Sequence, residues 1–442
     1  RFLICTSTLA QGVNLPLKYL LVTGFYQAQE RIKTRDFHNL IGRAGRAGIY
    51  TEGTILFTDP EIYDDKTYHH DNYNWGLAKG LLDPRRSEPC SSTILTLFDP
   101  VKSATGNFER PIDVPALVAA YIAGAAEVNA FVAEVVQRRV NAAFTLENTA
   151  RQIAHRLAIL SAIESYLLAH WASNDIEGDE EGVAALAAST LAYQLMDEEQ
   201  QEELVAVFEL LAGRIRTDLP AANQKARYGR TLLGVSELLQ IEAWLEVHEA
   251  GLLETDTPEE LLVLLWPLLA GHLTHNNLNK LTPVALRQGL ASLWISGQPY
   301  HQLLTALFNS QAYLAQGSRR GQVKLETVID IVEGAFGFDS TLIVNAVTEL
   351  LLLRGNDDQE QLIAHLQLLQ KQLKYGLPTA LAIAFYEQGF ADRVLAQELA
   401  LKFPDFPIQR YRLREAIRAE NEAVQQAISL YPAYFLYVLR EL

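Results

Sequence analysis

Apolar and polar positions follow two different rhythms along this chain, and the change between them falls near Asp59 and Pro60. Before it, short apolar or β-branched runs at 2–5, 19–23 and 53–58 are each followed by turn or polar residues. Runs of that length, bounded by turn signals, predict short buried strands. Between the second and third, residues 36–44 predict a helix that ends near Gly45 and Gly48. Residues 61–113 are mixed, with loop signals at Asp83-Pro84 and Asp99-Pro100. A strand-like run at 93–98 is one that periodicity alone does not assign.

From about Val114 onward apolar residues recur at spacings of three and four, in 115–139, 149–171, 183–212, 231–250, 258–273, 283–294, 300–315, 323–335, 339–353, 358–374, 378–387, 391–402 and 408–438. That period predicts amphipathic helices. Gly and Pro punctuate them, at Gly251, Pro283, Gly297, Pro299, Gly317, Gly355, Gly376, Pro378, Gly389 and Pro404. No fixed period of 33–45 residues recurs, which argues against a helical solenoid. Residues 173–182 (SNDIEGDEEG) read as a solvated loop or as the wing of a winged-helix unit.

Composition narrows the class. About half of the 442 residues are hydrophobic (49%) and a fifth charged (20%), enough to bury a sizeable core, which excludes a mainly disordered chain. The net charge of −16 is acidic for a protein that coats nucleic acid. The charge is uneven, because residues 1–60 hold seven Lys/Arg against four Asp/Glu. Anion binding is therefore expected near the start or in local patches farther on. Two cysteines, Cys5 and Cys90, make neither a disulfide framework nor a metal site. The apolar runs 114–126 and 261–270 are shorter than the ~20 residues that span a bilayer and predict buried helices. With no signal peptide visible, the expected setting is soluble, reducing and cytoplasmic, with no membrane partner. The chain opens on Arg1, directly before an apolar strand, and so reads as a piece of something longer.

Two segments carry candidate chemistry. The first, TSTLAQGVNLP at 6–16, follows a predicted strand, and the carboxyl ends of strands are where open α/β sheets bind ligands. The hydroxyls of Thr6, Ser7 and Thr8 and exposed backbone amides suit phosphate oxygens, and Gly12 permits close backbone approach. A polar strand-to-helix loop would read the same. The second, NLIGRAGRAG at 39–48, places Arg43 and Arg46 three apart, on one face of a helix, with small residues between them. Two guanidinium groups so placed can reach one polyphosphate and neutralise charge that develops during phosphoryl transfer. A surface helix with two solvated arginines is the alternative.

Together these segments resemble motifs V and VI of superfamily 2 helicases. The GVNLP ending and the GRAGR core resemble the superkiller-type DExH helicases, which include repair and RNA-surveillance members. The resemblance covers roughly residues 1–60. It implies the latter part of a second RecA-like domain, with the nucleotide lying between two such domains. On that resemblance Thr6, with Ser7 and Thr8, contacts the nucleic-acid backbone. Gly12 and Asn14 line the nucleotide side of the cleft together with Asn39 and Gly42. Arg43 and Arg46 face the terminal phosphates, Arg46 as the finger. Asn39 stands where the family has Gln or, in relatives, His, and its shorter amide has less reach. Between the motifs, related helicases carry a hairpin that splits the duplex. Here Arg31, Lys33 and Arg35 alternate, so that on an extended strand they would share one face and suit phosphate contact. A charge-protected strand edge is the equal alternative.

No G-x-x-x-x-G-K-[ST] phosphate loop occurs, and no apolar strand ends in a DExH-type acid. Acidic clusters at 179–181 and 197–199 read as solvated faces. The basic residues Arg214, Arg216, Lys225, Arg227 and Arg230, and a second set at 317–321 with Lys324, either grip phosphates or are ordinary helix-end charge. Trp244, Trp266 and Trp294 read as core, Trp75 as a loop anchor and His69-His70 as surface.

The expected architecture is an α/β fragment of a RecA-like domain over 1–100, a helical linker and winged-helix-like domain over 101–195, and a helical C-terminal domain over 196–442. The expected function is the C-terminal portion of an ATP-dependent nucleic-acid helicase, with ATP and Mg²⁺ held mainly by an N-terminal half supplied in cis or in trans. DNA or RNA, single-stranded or duplex with a single-stranded tail, is the expected partner. The rival reading is a non-catalytic accessory protein that binds nucleic acid or a protein partner.

Overall fold

The computed structural model describes residues 18–27, 30–42, 53–64, 66, 73–137, 144–171, 180–317, 319–355 and 359–442. These residues are mainly helical, with a few small sheets. The chain divides into two compact units, Arg1–Ser92 and Thr93–Leu442.

In the first unit, strands β1 (Tyr19–Val22), β2 (Tyr26–Gln27) and β3 (Glu30–Arg31) precede helix α1 (Thr34–Ile41). Strand β4 (Thr54–Phe57) and helices α2 (Glu61–Asp64) and α3 (Tyr73–Leu82) follow. β1 and β4 pair in parallel, from Tyr19 opposite Thr54 to Val22 opposite Phe57, while β2 and β3 form an antiparallel hairpin. A parallel pair needs a crossover, and this one contains the hairpin and α1. Leu20 and Val22 face a small core with Phe25, Phe37, Leu77 and Leu81; Tyr19 and Leu21 alternate to the other side and are exposed. Phe37 stacks on Phe57 at 6.1 Å between ring centroids. The predicted strands at 19–23 and 53–58 form within a residue of their expected ends. The strand expected at 2–5 lies outside the described residues.

The second unit opens on a 3-10 helix, Thr93–Leu97, in place of the strand-like run. Thr96 Oγ1 donates to the Thr93 carbonyl at 2.7 Å, a local bond that competes with strand pairing, and Leu97 is fully buried. A short hairpin, β5 (Val101–Lys102) with β6 (Glu109–Arg110), leads into helices α4 (Val114–Ala123), α5 (Ala125–Gln137), α6 (Leu146–His170), α7 (Glu180–Ala188) and α8 (Leu191–Leu195). The helix predicted at 115–139 breaks at Gly124, whose φ of +121° suits only glycine. The one predicted at 183–212 is three helices, because Thr190 and Asp197 cap new starts by accepting from the amides of Tyr193 and Gln200. Residues 172–179, most of the expected wing, lie outside the described residues.

Helices α9 (Glu198–Asp218), α10 (Ala222–Tyr228), α11 (Val235–Leu253) and α12 (Pro258–His272) follow. Next come α13 (Asn276–Lys280), β7 (Leu281–Thr282), α14 (Ala285–Ile295), α15 (Tyr300–Asn309), β8 (Tyr313–Gln316) and β9 (Arg319–Gln322). The three strands form an antiparallel sheet in the order β7-β8-β9. The helix predicted over 300–315 stops at Asn309 because Gln311 takes a φ of +53° and the chain turns into β8. Helix α16 runs from Leu325 to Arg354 with π-helical turns over Ile331–Asp339. Among the described residues it is the helix long and apolar enough to cross a membrane, but 56% of that apolar window is buried inside the protein, which marks a core helix. Helices α17 (Glu360–Tyr375), α18 (Ala380–Glu387), α19 (Arg393–Lys402), α20 (Arg410–Ala419), α21 (Asn421–Ala427) and α22 (Tyr434–Glu441) complete the unit.

Two apolar cores divide this second unit. One runs from Leu97 to Leu373 and the other from Leu377 to Leu442. They meet at Trp294, which is buried as expected and donates from its indole nitrogen to the Leu373 carbonyl at 2.7 Å. The Arg393 guanidinium lies 3.9 Å over the Trp294 ring and donates to the Gly376 carbonyl. Gly376 has a φ of +60°, and a Cβ there would lie 2.6 Å from the indole, so both backbone and space demand glycine.

Candidate functional site

Helix α1 leads directly into the GRAGR segment, so its construction positions the candidate site. It begins at Thr34, two residues before the expected start. The reason lies far along the chain. Both carboxylate oxygens of Glu88 accept helix N-terminal amides, from Thr34 and from Arg35, each at 2.9 Å. Two of the four unpaired N–H groups of a helix start are thereby satisfied. The Arg35 amide beside Glu88 holds its carboxyl below the usual range for glutamate. Because the folded value is depressed, the cap's contribution is full above the unfolded value of about 4.3 and is lost as pH falls through the folded one. Replacing Glu88 with Ala is expected to lower the stability of α1 by about 1 kcal/mol at neutral pH. Amide hydrogen exchange at Thr34 and Arg35 checks this, and unchanged protection in the variant would contradict it.

Phe37 anchors one face of α1 in the core. Arg35 and Asn39, four residues apart, share another face, and Asn39 is exposed. The Arg35 guanidinium is only loosely engaged, 3.9 Å from the Asp36 carboxylate. Gly42 closes the helix by donating from its amide to the His38 carbonyl at 2.9 Å, and a Cβ there would crowd that same oxygen at 3.2 Å. Beyond Gly42, Arg43 and Arg46 lie outside the described residues, as do Thr6, Ser7, Thr8, Gly12, Asn14 and the His69-His70 pair.

Arg31, Lys33 and Arg35 do not alternate along one strand. Arg31 ends β3, Lys33 is the extended residue before the helix, and Arg35 is already helical, because the Glu88 cap and burial of Phe37 start α1 at Thr34. Arg31 instead finds a companion that its local sequence does not advertise. A Cβ at Gly80 would lie 3.1 Å from Arg86 Nη1 and 3.4 Å from Arg31 Nη2, so both guanidinium groups lie over the same turn of α3. Neighbouring Arg85 is paired with Asp83 at 3.0 Å. Arg31 and Arg86 are exposed and, among the described residues, make no ion pair. The Asp83 carboxylate is also within electrostatic reach of Arg86, so the two converging cations are partly balanced by it.

The basic cluster of the second unit is built differently. The side chain of Arg214 is 6% exposed, and its Nη1 donates to Glu164 Oε1 at 2.8 Å. Its Nη2 donates to Ser236 Oγ at 2.8 Å and its Nε to Asp218 at 3.1 Å. Glu164 is fully buried and also accepts from the Tyr121 hydroxyl and the Val235 amide, each at 2.8 Å. Burial pushes the Glu164 carboxyl up, and these donors oppose it. Lys225 is buried, and Arg227 and Arg230 both lie against Glu349, at 2.9 and 3.9 Å. Arg214, Lys225 and Arg227 are thus engaged inside the helical packing, while Arg230 stays largely exposed. The acidic run at 197–199 likewise has a structural task, with Asp197 as helix cap and Glu198 and Glu199 in the first turn of α9. By contrast, Arg319, Arg320 and Lys324 are exposed on and beside a hairpin.

No protein-family model matches the chain. Short stretches do match known proteins. The chain is 53% identical over 52 residues to "Helicase POLQ-like" from Homo sapiens and 45% identical over 52 residues to the protein of that name from Drosophila melanogaster. It is 43% identical over 58 residues to "Hachiman protein HamB" from Bacillus cereus. These matches cover 12–13% of this chain and 5% of each relative's length. The chain therefore contains a helicase-related region, and it spans only a small fraction of the relatives it matches.

Proposed function

We propose that this chain supplies the latter half of an ATP-dependent nucleic-acid motor of the superkiller-type DExH class. The observation that carries the reading is the occurrence of TSTLAQGVNLP and NLIGRAGRAG in one chain, some two dozen residues apart. The short matches to proteins named as helicases support it. So does the local fold, a parallel strand pair whose crossover helix runs straight into the second motif.

In this reading ATP with Mg²⁺ is the substrate, held mainly by a RecA-like half that carries a phosphate loop and a DExH acid. Arg43 and Arg46 reach the terminal phosphates, and Arg46 neutralises charge on the transferring phosphoryl group. Gly12, Asn14, Asn39 and Gly42 line the nucleotide side. Thr6, Ser7 and Thr8 hold the strand's phosphates. Arg31, Lys33 and Arg35 add phosphate contacts, and Arg86 joins Arg31. Nucleotide binding closes the two halves and hydrolysis reopens them, so the grip on the strand alternates.

The test joins this chain to such a half and measures ATP hydrolysis with and without single-stranded nucleic acid. The joined protein is expected to hydrolyse ATP in a strand-stimulated manner that neither half shows alone. Hydrolysis no faster than that of the phosphate-loop half by itself would overturn the reading.

A further inference from the structure

From residue 261 to residue 325 the chain carries no Asp or Glu, although these make up 53 of its 442 residues. The same stretch holds Lys280, Arg287, Arg319, Arg320 and Lys324. An acid-free basic segment inside an acidic chain marks a local electrostatic footprint for a polyanion.

The fold gives that segment a shape. Helices α14 and α15 are joined by four residues, Ser296, Gly297, Gln298 and Pro299, with Gly297 at a φ of +86°. Two helices joined by a short turn that contains glycine have the connection of a helix-turn-helix. The β8-β9 hairpin follows at once. Helix α15 buries Leu303 and Leu307 and exposes His301, Gln302, Thr305 and Asn309, all able to hydrogen-bond. Beside it, a cleft of about 500 Å³ runs between the end of α15 and strand β9, with Asn309 and Gln322 on its two sides. Arg320 is held 4.5 Å over the Tyr313 ring, while Arg319, Arg320 and Lys324 are exposed. Acids nearby are Glu326, next after the segment, Asp330, which accepts from Asn277, and Glu333, which accepts from the Tyr300 hydroxyl at the start of α15 at 3.4 Å, at the opposite end of that helix from Asn309.

We propose that residues 276–324 form a duplex nucleic-acid-binding site in the second unit. Helix α15 lies in a groove, and Arg319, Arg320 and Lys324 hold the phosphates beside it. The proposal rests on the nucleic-acid reading above but adds a site that the motor motifs do not contain. A groove of duplex DNA is wide enough for one helix, and flanking cations fix its register. A single strand would instead need a row of exposed aromatics for stacking, and α15 exposes only Phe308, at its end.

The experiment measures binding of the whole chain to a labelled blunt DNA duplex and to its separated single strand, by fluorescence anisotropy over a range of salt. The wild-type chain is expected to prefer the duplex. The variant R319E/R320E/K324E is expected to lose about tenfold or more in duplex affinity, with a salt slope shallower by about 2–3. Single-strand binding and the melting temperature are expected to stay the same. If the triple variant melts early, R319E and K324E alone decide, each with a smaller loss in duplex binding. Unchanged duplex affinity in the variants, equal loss on both probes, or a wild-type chain that binds no duplex overturns the site. None of these results bears on strand-stimulated hydrolysis by the joined halves, which tests the motor reading separately.

Discussion

Replacing Arg214 with alanine is expected to destabilise the second unit by about 3–5 kcal/mol, enough to abolish cooperative folding near physiological temperature. Glu164 is fully buried between α6, α9 and the start of α11, and its carboxylate accepts from Arg214, Tyr121 and Val235, each at 2.8 Å. Without the guanidinium, two neutral donors remain against an enclosed negative charge. The variant must then protonate Glu164 or open the bundle. With its counter-charge gone, the carboxyl titrates above its unfolded value of about 4.3, so the deficit grows as pH rises through the folded value and is smallest below the unfolded one. Adding Glu164→Gln to the variant removes the stranded charge and is expected to restore part of the loss, a coupling that a double-mutant cycle measures. Thermal melts of the four proteins check this. An Arg214→Ala melt that coincides with the wild type would contradict it.

The same network shows why local sequence leaves open whether a basic patch grips phosphates or serves the packing. Arg214 finds its carboxylate 50 residues away, and Arg227 finds Glu349 across 122 residues. Ion pairs of that separation leave no local signature. Packing at α10 is as invisible: a Cβ at Gly229 would sit 2.6 Å from the Leu168 carbonyl oxygen, which permits only glycine there. What the sequence does carry is periodicity and punctuation. The alternation at 19–22 and the run at 54–57 are short, bounded and β-rich, and they form the parallel pair. The start of α1 was displaced because its cap, Glu88, comes from elsewhere in the chain. The helices at 285–295 and 300–309 were legible from their period, whereas the strands beside them, β7, β8 and β9, were hidden because they are only two to four residues long, too short to show a period of two. The roles given to residues in 6–16 and 43–48 rest on resemblance to helicase motifs, and those residues lie outside the described ones.

Replacing Arg46 with alanine in the joined motor is expected to lower the hydrolytic rate by about 10³–10⁵. An arginine finger acts on charge that exists only in the transition state, so its loss falls on kcat and leaves nucleotide binding little changed. Arg43, three residues earlier and with the same small neighbours, is expected to contribute more to binding the ground-state phosphates. Arg46→Lys is expected to recover little, because a point charge on a flexible stem does not reproduce the planar fork that engages two phosphate oxygens.

Strand-stimulated ATP hydrolysis by the joined halves, wild type against Arg46→Ala, is therefore the most direct measurement. A fall of about a thousandfold in kcat with nucleotide affinity retained is the predicted result. An unchanged rate would mean that the second motif does not reach the phosphates, and the motor assignment would fail with it.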